Sequence, residues 1–161
     1  MTDEPSSAYA KTTQTSLQIL EAVQKHDGAT LSEIANAVDV AKSTAHEHVT
    51  TLLQNGYLLK EDREYVVGFK LLNLGEYTRF RKPEYQYALE TVSKIADETG
   101  LEADFCVESD YRIVVLHQSR YEENFWNDRS TGNYYYMHNT AVGKALLEED
   151  PNLDVSELAA R

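Results

Sequence analysis

The stretch Leu31–Leu58, LSEIANAVDVAKSTAHEHVTTLLQNGYL, decides the fold of the first part of the chain. It predicts two short helices, over 31–38 and 42–55, joined by a tight turn at 39–40. In the first helix the apolar residues recur at the spacing i, i+3, i+4, i+7, which lays them along one side of a 3.6-residue helix. A helix, a tight turn and a second helix form the pattern of a helix-turn-helix.

The ends and faces of the two helices can also be predicted. Thr30 and Glu33 form a capping-box pattern at the start of the first helix, and Gly56 is a left-handed stop for the second. At about 100° per residue, the buried side of the second helix carries Ala45, Val49, Leu52 and Leu53. The opposite side carries Ser43, Glu47, Thr50 and Gln54, with Lys42 and Thr44 at the N-terminal end.

Short β-rich segments follow the helix pair. Leu58–Lys60 and Tyr65–Val67 flank the polar run 61–64, which predicts a hairpin, the wing of a winged helix. A preceding helix is predicted over 15–25, with its apolar residues toward the core. The first part of the chain is therefore predicted to be a winged helix-turn-helix over residues 13–70, after a disordered segment 1–12.

The motifs of this region resemble those of one regulator family. SLQILEAV, LSEIA, AKSTAH, LLQNGYL and VGFKLLNLG occur in order between residues 16 and 75. They are similar to the DNA-binding domain of the IclR family of transcription regulators. The resemblance implies a homodimer, or a dimer of dimers, that binds double-stranded DNA. The single cysteine and the absence of a signal-peptide pattern predict a cytoplasmic protein. The DNA contacts are expected at Lys42, Ser43, Thr44, His46, Glu47, Thr50, Lys60 and Arg63. Glu47 departs from the arginine of many members, and this puts the preferred DNA sequence in question.

The second part of the chain predicts an α+β domain. After a linker helix over 71–83, the pattern gives a helix over 84–99, strands over 103–108, 112–117 and 134–136, and a helix over 139–149. The motifs ADETGLEADFCV and MHNTAVGKALL resemble the GAF-like effector-binding domain of the same family. Residues 84–161 are expected to be a partial form of that domain, because family members continue beyond residue 161. The resemblance implies binding of a small, carboxylate-bearing effector at Phe105, Cys106, His138, Asn139, Thr140 and Ala141.

The acidic residues are unevenly distributed. The net charge is −12, which by itself disfavours phosphate contacts. Residues 1–83 contain nine Lys or Arg against eleven Asp or Glu, whereas residues 84–161 contain six against sixteen. The acid therefore lies mainly outside the predicted DNA-binding domain. Abundant acid with little lysine also resembles proteins of salt-loving archaea, in which electrostatic attraction to DNA would be screened.

Other chemistry finds little support. Cys106 is the single cysteine, so no disulfide forms within the chain, and packing is the simpler role for it. Gly143-Lys144 lacks the remaining residues of a phosphate loop, and no zinc or catalytic-triad pattern appears. We expect no metal, no cofactor and no enzymatic activity. The segment 1–16 has no signal-peptide pattern, and no apolar run approaches the ~20 residues of a membrane span.

The sequence leaves two alternative functions open. An Lrp-like regulator has a similar domain order, although the motif at 137–147 argues against it. A winged-helix module that binds proteins rather than DNA would suit the acidic balance.

Arg79, Arg81 and Lys82 are interpreted as a solvated helix end or as contacts to a DNA backbone. The apolar stripe of Leu71, Leu74 and Tyr77 suggests a dimer contact.

Overall fold

The computed structural model describes residues 10–119 and 131–149, which form two compact units divided between Thr78 and Arg79. The predicted α+β class is confirmed. Most of the predicted polar loop 121–133 and residues 1–9 of the predicted disordered segment lie outside the described residues. Within the part that is described, no helix has both the length and the apolar character needed to cross a membrane.

The first unit is a three-helix bundle with a hairpin. Its elements are α1 (Lys11–Lys25), α2 (Leu31–Ala37), α3 (Lys42–Gln54), β1 (Leu58–Glu61) and β2 (Glu64–Val67). The predicted disordered segment 1–12 and the helix start at Thr15 need correction, because α1 begins at Lys11. The backbone ladder already starts where the Gln14 N–H donates to the Ala10 carbonyl at 3.1 Å. No apolar residue occupies this first turn, so the periodicity gave no sign of it.

The helix ends follow the sequence closely. Thr30 and Glu33 form the predicted capping box at the start of α2. At the end of α3, Gly56 adopts φ +75°, and the Tyr57 N–H donates to the Leu52 carbonyl at 2.9 Å. This pairing is a Schellman motif, which satisfies carbonyls that the helix leaves open. The turn residue Asp39 ends α2 with φ +54°, and so the helix-turn-helix geometry is fixed by local chemistry.

The core of the first unit lies between the three helices and the base of the hairpin. Tyr65 of β2 exchanges two backbone hydrogen bonds with Ala29, at 2.8 and 3.0 Å, so the hairpin is joined to the segment between α1 and α2. The core residues, all buried, are Ile19, Val23, Ala29, Ile34, Ala35, Ala45, Val49, Leu52, Leu58 and Tyr65. Those of α3 are the ones that the helical spacing predicted, apart from Leu53, which is only partly buried.

Two helices stand where a linker helix and a following helix were predicted. They are α4 (Lys70–Phe80) and α5 (Pro83–Thr99), so the linker helix predicted over 71–83 ends at Phe80 and Pro83 begins the next helix. Proline suits this position, because the N–H that it lacks has no partner in a first helical turn. The helix α4 buries none of its residues.

The second unit contains an antiparallel sheet in the order β3-β4-β5. The strands are β3 (Ala103–Ser109), β4 (Arg112–Ser119) and β5 (Tyr134–Tyr136). One face packs on α5, where Tyr85, Val114 and Leu116 form a buried cluster. A 3-10 turn, Met137–Asn139, then leads into α6 (Ala141–Glu149), so the helix predicted from Asn139 begins two residues later. Gly143 of α6 lies against the Met137 carbonyl, where a Cβ atom would collide with the backbone.

Candidate nucleic-acid interface

The first two turns of α3 present a polar surface. Ala45, Val49 and Leu52 face the core, and the side chains of Lys42, Ser43, His46 and Glu47 are exposed. Thr44 and Thr50 are half-buried, so these two hydroxyls are less open than the helical spacing predicted. Because the apolar side of α3 is held by α1 and α2, the polar side is presented as a rigid surface.

The start of α3 differs from the start of α2. Its N-cap residue is Ala41, whose side chain makes no capping hydrogen bond, whereas α2 has its complete capping box. The first N–H groups of a helix lack partners inside the helix and carry partial positive charge. The amide groups in the first turn of α3 can therefore donate to an anion such as a DNA phosphate.

Lys42 stands at the junction of the two helices. Its Nζ donates to the Ser32 Oγ of α2 at 2.9 Å, and both side chains are exposed. An ammonium group carries three N–H donors, so this bond leaves Lys42 able to donate to a phosphate as well. The bond holds the positive charge beside the open first turn of α3, where the sequence placed a backbone contact.

The hairpin carries the two remaining residues of the predicted DNA surface. Arg63 lies at the exposed tip, between β1 and β2, and Lys60 lies 5.9 Å from the centroid of the Tyr65 ring. The tip also carries the exposed carboxylates Glu61, Asp62 and Glu64. Three carboxylates around one guanidinium give the tip a net negative charge, which weakens attraction to phosphate. The wing therefore supports a DNA contact less strongly than α3 does.

A groove beside α3 was missed by the sequence reasoning. Its volume is about 400 Å³, and its lining residues are Thr12, Thr13, Ser16, Glu47, His48 and Thr51. Within it, Ser16 Oγ and His48 Nδ1 are 2.8 Å apart and share a hydrogen bond that joins α1 to α3. The groove extends the polar surface of α3 onto α1. Hydroxyl residues at the start of α1 were the available signal, but the helix was expected to begin only at Thr15.

The predicted effector residues of the second unit fall into two groups. Phe105 and Cys106 are consecutive in β3, so their side chains point to opposite faces of the sheet. The Phe105 ring lies 5.8 Å from the Tyr85 ring, on the side of α5. One small molecule bound on a single face of the sheet would contact one residue of this pair.

Cys106 is half-buried. Burial, together with the nearby Asp104 carboxylate, raises the pKa of the Cys106 thiol. The side chain is therefore held in its neutral form, which suits packing better than nucleophilic chemistry. No cluster of three or more potential metal ligands occurs among residues 10–119 and 131–149.

The second group surrounds the start of α6. His138 and Asn139 lie in the 3-10 turn and are exposed, and the His138 ring stacks on Tyr136 at 5.5 Å. Thr140 Oγ1 accepts a hydrogen bond from the Gly143 N–H at 3.0 Å. This bond caps the first turn of α6, so the Gly143 amide already has a partner within the chain. Ala141 is the first residue of α6 and is exposed.

Comparison with known proteins identifies the domain family of the first unit. Residues 13–62 match the model of the IclR helix-turn-helix domain. The chain is 30% identical over 135 residues to the protein named "probable HTH-type transcriptional regulator ArcR" of Halobacterium salinarum, and the match covers 81% of this chain and 51% of ArcR. This chain thus spans about half the length of that relative.

Solved structures agree in fold. The crystal structure of the Thermotoga maritima IclR matches 93% of this chain and 62% of its own, with a TM-score of 0.72 at 24% identity. An IclR homologue from Microbacterium hydrocarbonoxydans, solved in complex with 4-hydroxybenzoate, also matches with a TM-score of 0.72, at 17% identity. That match covers 93% of this chain and 63% of the homologue. At these identities the likeness concerns the fold.

Proposed function

This chain carries the helix-turn-helix domain of the IclR family, and from that premise we propose that it is a transcription regulator that binds double-stranded DNA. The observation that carries the proposal is the arrangement of α3. Its apolar side is buried, its first two turns are polar and exposed, and its N-terminus has no side-chain cap. Such a helix can enter a major groove while its first turn lies near the backbone.

The residues have different roles in this proposal. Ser43, Thr44 and Glu47 face base edges, where a carboxylate can accept a hydrogen bond from cytosine N4. His46 and Thr50 flank them on the same helix. Lys42, together with Lys60 and Arg63 of the hairpin, contacts phosphates. Because unit charges around the wing tip are mainly negative, we expect α3 rather than the wing to supply most of the affinity.

A small effector is proposed to regulate this binding through the second unit. The support is the α+β fold of that unit and the 4-hydroxybenzoate bound by a structural relative. We propose the exposed residues His138, Asn139 and Ala141, with Thr140 and one of the pair Phe105 and Cys106, as candidates for contacting a carboxylate-bearing molecule. An effector that favours one arrangement of the dimer would shift DNA binding by its differential affinity for the two arrangements.

A homodimer is proposed from the surface of α4. Phe69, Leu72, Leu74 and Tyr77 are 78%, 61%, 43% and 72% exposed. Phe69 directly precedes α4, and the other three side chains are distributed around the helix. This concentration of exposed apolar side chains indicates a contact surface, and a second copy of the chain would bury them. Two winged helices would then meet two half-sites of DNA. We place this regulator in the cytoplasm, where DNA and metabolites are both accessible.

The rival functions are distinguishable. The match of residues 13–62 to the IclR domain disfavours an Lrp-like regulator. The surviving rival is a winged-helix module that binds a protein partner and no DNA. The exposed carboxylates Glu47, Glu61, Asp62 and Glu64 favour it, because they repel phosphate. The relatives are regulators, and we propose no enzymatic activity.

The test is selection of genomic DNA fragments on the 161-residue chain at several salt concentrations. We expect sequence-selective retention, and Thr44→Ala should weaken the selected site by about 1–3 kcal/mol if Thr44 contacts a base. Lys42→Ala should weaken all duplexes alike and reduce the salt slope by about one. Lys94→Ala, at an exposed position of α5, is the matched control and should change neither. Absence of selective retention would support the protein-binding module.

A further inference from the structure

His117 of β4 is buried in an unusual way. Among the described residues it is the polar side chain with no exposed surface, and the other fully buried side chains are apolar. Burying a polar ring is unfavourable unless its nitrogens are hydrogen-bonded. Both ring nitrogens of His117 are hydrogen-bonded. Nε2 lies 2.7 Å from the Tyr85 carbonyl oxygen, and Nδ1 accepts a hydrogen bond from Arg79 Nε at 3.2 Å.

A β-bulge sets the direction of this side chain. Phe105 pairs with His117, but its neighbour Cys106 pairs with Val115, so Leu116 is the extra residue of β4. In a regular strand His117 would share the face of Val115. The bulge turns His117 to the side of α5, where Leu116 and Tyr85 lie.

The two hydrogen bonds fix the form of the ring. A guanidinium group only donates hydrogen bonds, so Nδ1 must be an acceptor without a proton. The proton of the neutral ring is then on Nε2, which donates it to the Tyr85 carbonyl. Each group therefore donates to the next one: Arg79 donates to His117, and His117 donates to the Tyr85 carbonyl in the backbone of α5.

The end of α4 converges on the same ring. Arg79 Nε also donates to the Leu116 carbonyl at 2.9 Å, and its guanidinium lies 5.4 Å from the centroid of Phe80. The rings of Phe80 and Phe105 lie 5.5 and 6.0 Å from that of His117. These contacts attach the last turn of α4, a helix that buries none of its residues, to β4.

We propose that Arg79 and His117 form a joint that fixes the last turn of α4 to β4, so that a change in the sheet is passed to α4. The role of this joint rests on the proposed function, because the joint would couple an effector bound to the second unit to α4, the helix that follows the wing. Its existence can be tested without DNA or effector. The groups act as positioning residues, because neither is required to touch a ligand.

The first experiment measures amide hydrogen exchange of the 161-residue chain. We expect Arg79→Met to speed exchange of the backbone over residues 76–81 by about tenfold, with melting of the remaining structure unchanged. Arg81→Met is the matched control, since Arg81 is exposed, and it should leave exchange at 76–81 as in the natural chain. Equal exchange in the two variants would overturn the joint.

Substitutions at His117 separate hydrogen bonding from packing. An Asn carboxamide oxygen can replace Nδ1 as acceptor for Arg79, and a Gln nitrogen can replace Nε2 as donor to Tyr85. We expect His117→Asn to keep protection over 76–81 and lose it over 85–89, and His117→Gln to do the reverse. His117→Phe keeps an aromatic ring but should lose both. Full protection in His117→Phe would mean that packing alone holds α4, contrary to the proposal.

The coupling itself is reciprocal, so DNA can serve as the probe. Binding of the duplex selected above should change exchange over residues 115–118 in the natural chain and in Arg81→Met, but not in Arg79→Met. A bound duplex that leaves 115–118 unchanged in the natural chain would overturn the transmission. If no duplex is retained, the DNA-binding proposal fails, and the exchange results on the free chain still decide whether the joint exists.

Discussion

The helices α3 and α4 have opposite surfaces. In α3 the apolar residues are buried in the bundle and the polar residues are exposed, whereas α4 exposes Leu72, Leu74 and Tyr77 and buries no residue. The first pattern is that of a helix whose outer face meets a polar partner, and the second is that of a helix whose partner is apolar. The difference fits the two contacts proposed above, one with DNA and one with a second copy of the chain.

The largest expected effect tests whether the two helices differ in stability. Leu52→Ala removes a buried side chain from α3 and should lower the free energy of unfolding of the first unit by about 2–5 kcal/mol. The same change at Leu72, which is 61% exposed on α4, should cost less than about 0.5 kcal/mol in the monomer. Chemical denaturation at low protein concentration measures both. Similar losses at the two positions would remove the contrast between the helices.

The next effect concerns association. Leu72→Glu should raise the dimer dissociation constant by at least about tenfold, because burial of one leucine contributes about 1.5–3 kcal/mol. Thr91→Glu on α5, where the threonine is already exposed, serves as the control and should leave association unchanged. Sedimentation equilibrium provides the measurement. If Leu72→Glu associates as tightly as the natural chain, α4 is not the dimer surface.

A smaller effect distinguishes the capped from the uncapped helix start. Thr30→Ala removes the N-cap of α2 and should cost about 1 kcal/mol. Ala41→Ser offers α3 a cap that it lacks, and should stabilise the first unit by up to about 1 kcal/mol. It should also weaken DNA binding, since the serine competes with phosphate for the same N–H groups. A gain in both stability and DNA affinity would argue against a phosphate at the start of α3.

The smallest effect is a pH dependence at the capping box. The Thr30 N–H and hydroxyl both donate to the Glu33 carboxylate, at 2.8 and 2.7 Å, and they lower the pKa of Glu33. The folded state thus favours the charged form, and its stabilisation is present above the ordinary carboxyl pKa and lost as the pH falls through the lowered one. Unfolding free energies of the natural chain and Glu33→Gln, measured between about pH 6 and about pH 3, should converge toward the acidic end. A constant difference would mean that Glu33 does not act as a charged cap.

Local signals in the sequence gave the helix-turn-helix correctly. The capping box at Thr30 and the stop at Gly56 depend on neighbouring residues, and the structure contains both as predicted. The buried side of α3 also followed from helical spacing, because its apolar residues recur with the period of the helix. Such features need no knowledge of distant parts of the chain.

Features that depend on distant contacts were not predicted. Arg79 was expected to be solvated or to contact a DNA backbone, but it bonds to Leu116 and His117, which are 37 and 38 residues away. His117 itself was not singled out, because the bulge that turns it toward α5 leaves no mark in the local pattern. The groove beside α3 was also missed, since it requires both the early start of α1 and the approach of Ser16 to His48.

The bridge between Ala29 and Tyr65 has a consequence for how this protein can change over time. Tyr65 lies opposite Lys60, in the second pair from the bend, so both bonds of the bridge anchor the hairpin close to its tip. The two bend residues, Asp62 and Arg63, take no part in the bridge, and we expect them to be exchangeable while the bundle stays intact. The bend is therefore the part of the hairpin at which sequence changes are best tolerated, because the strands on either side of it are fixed to the bundle.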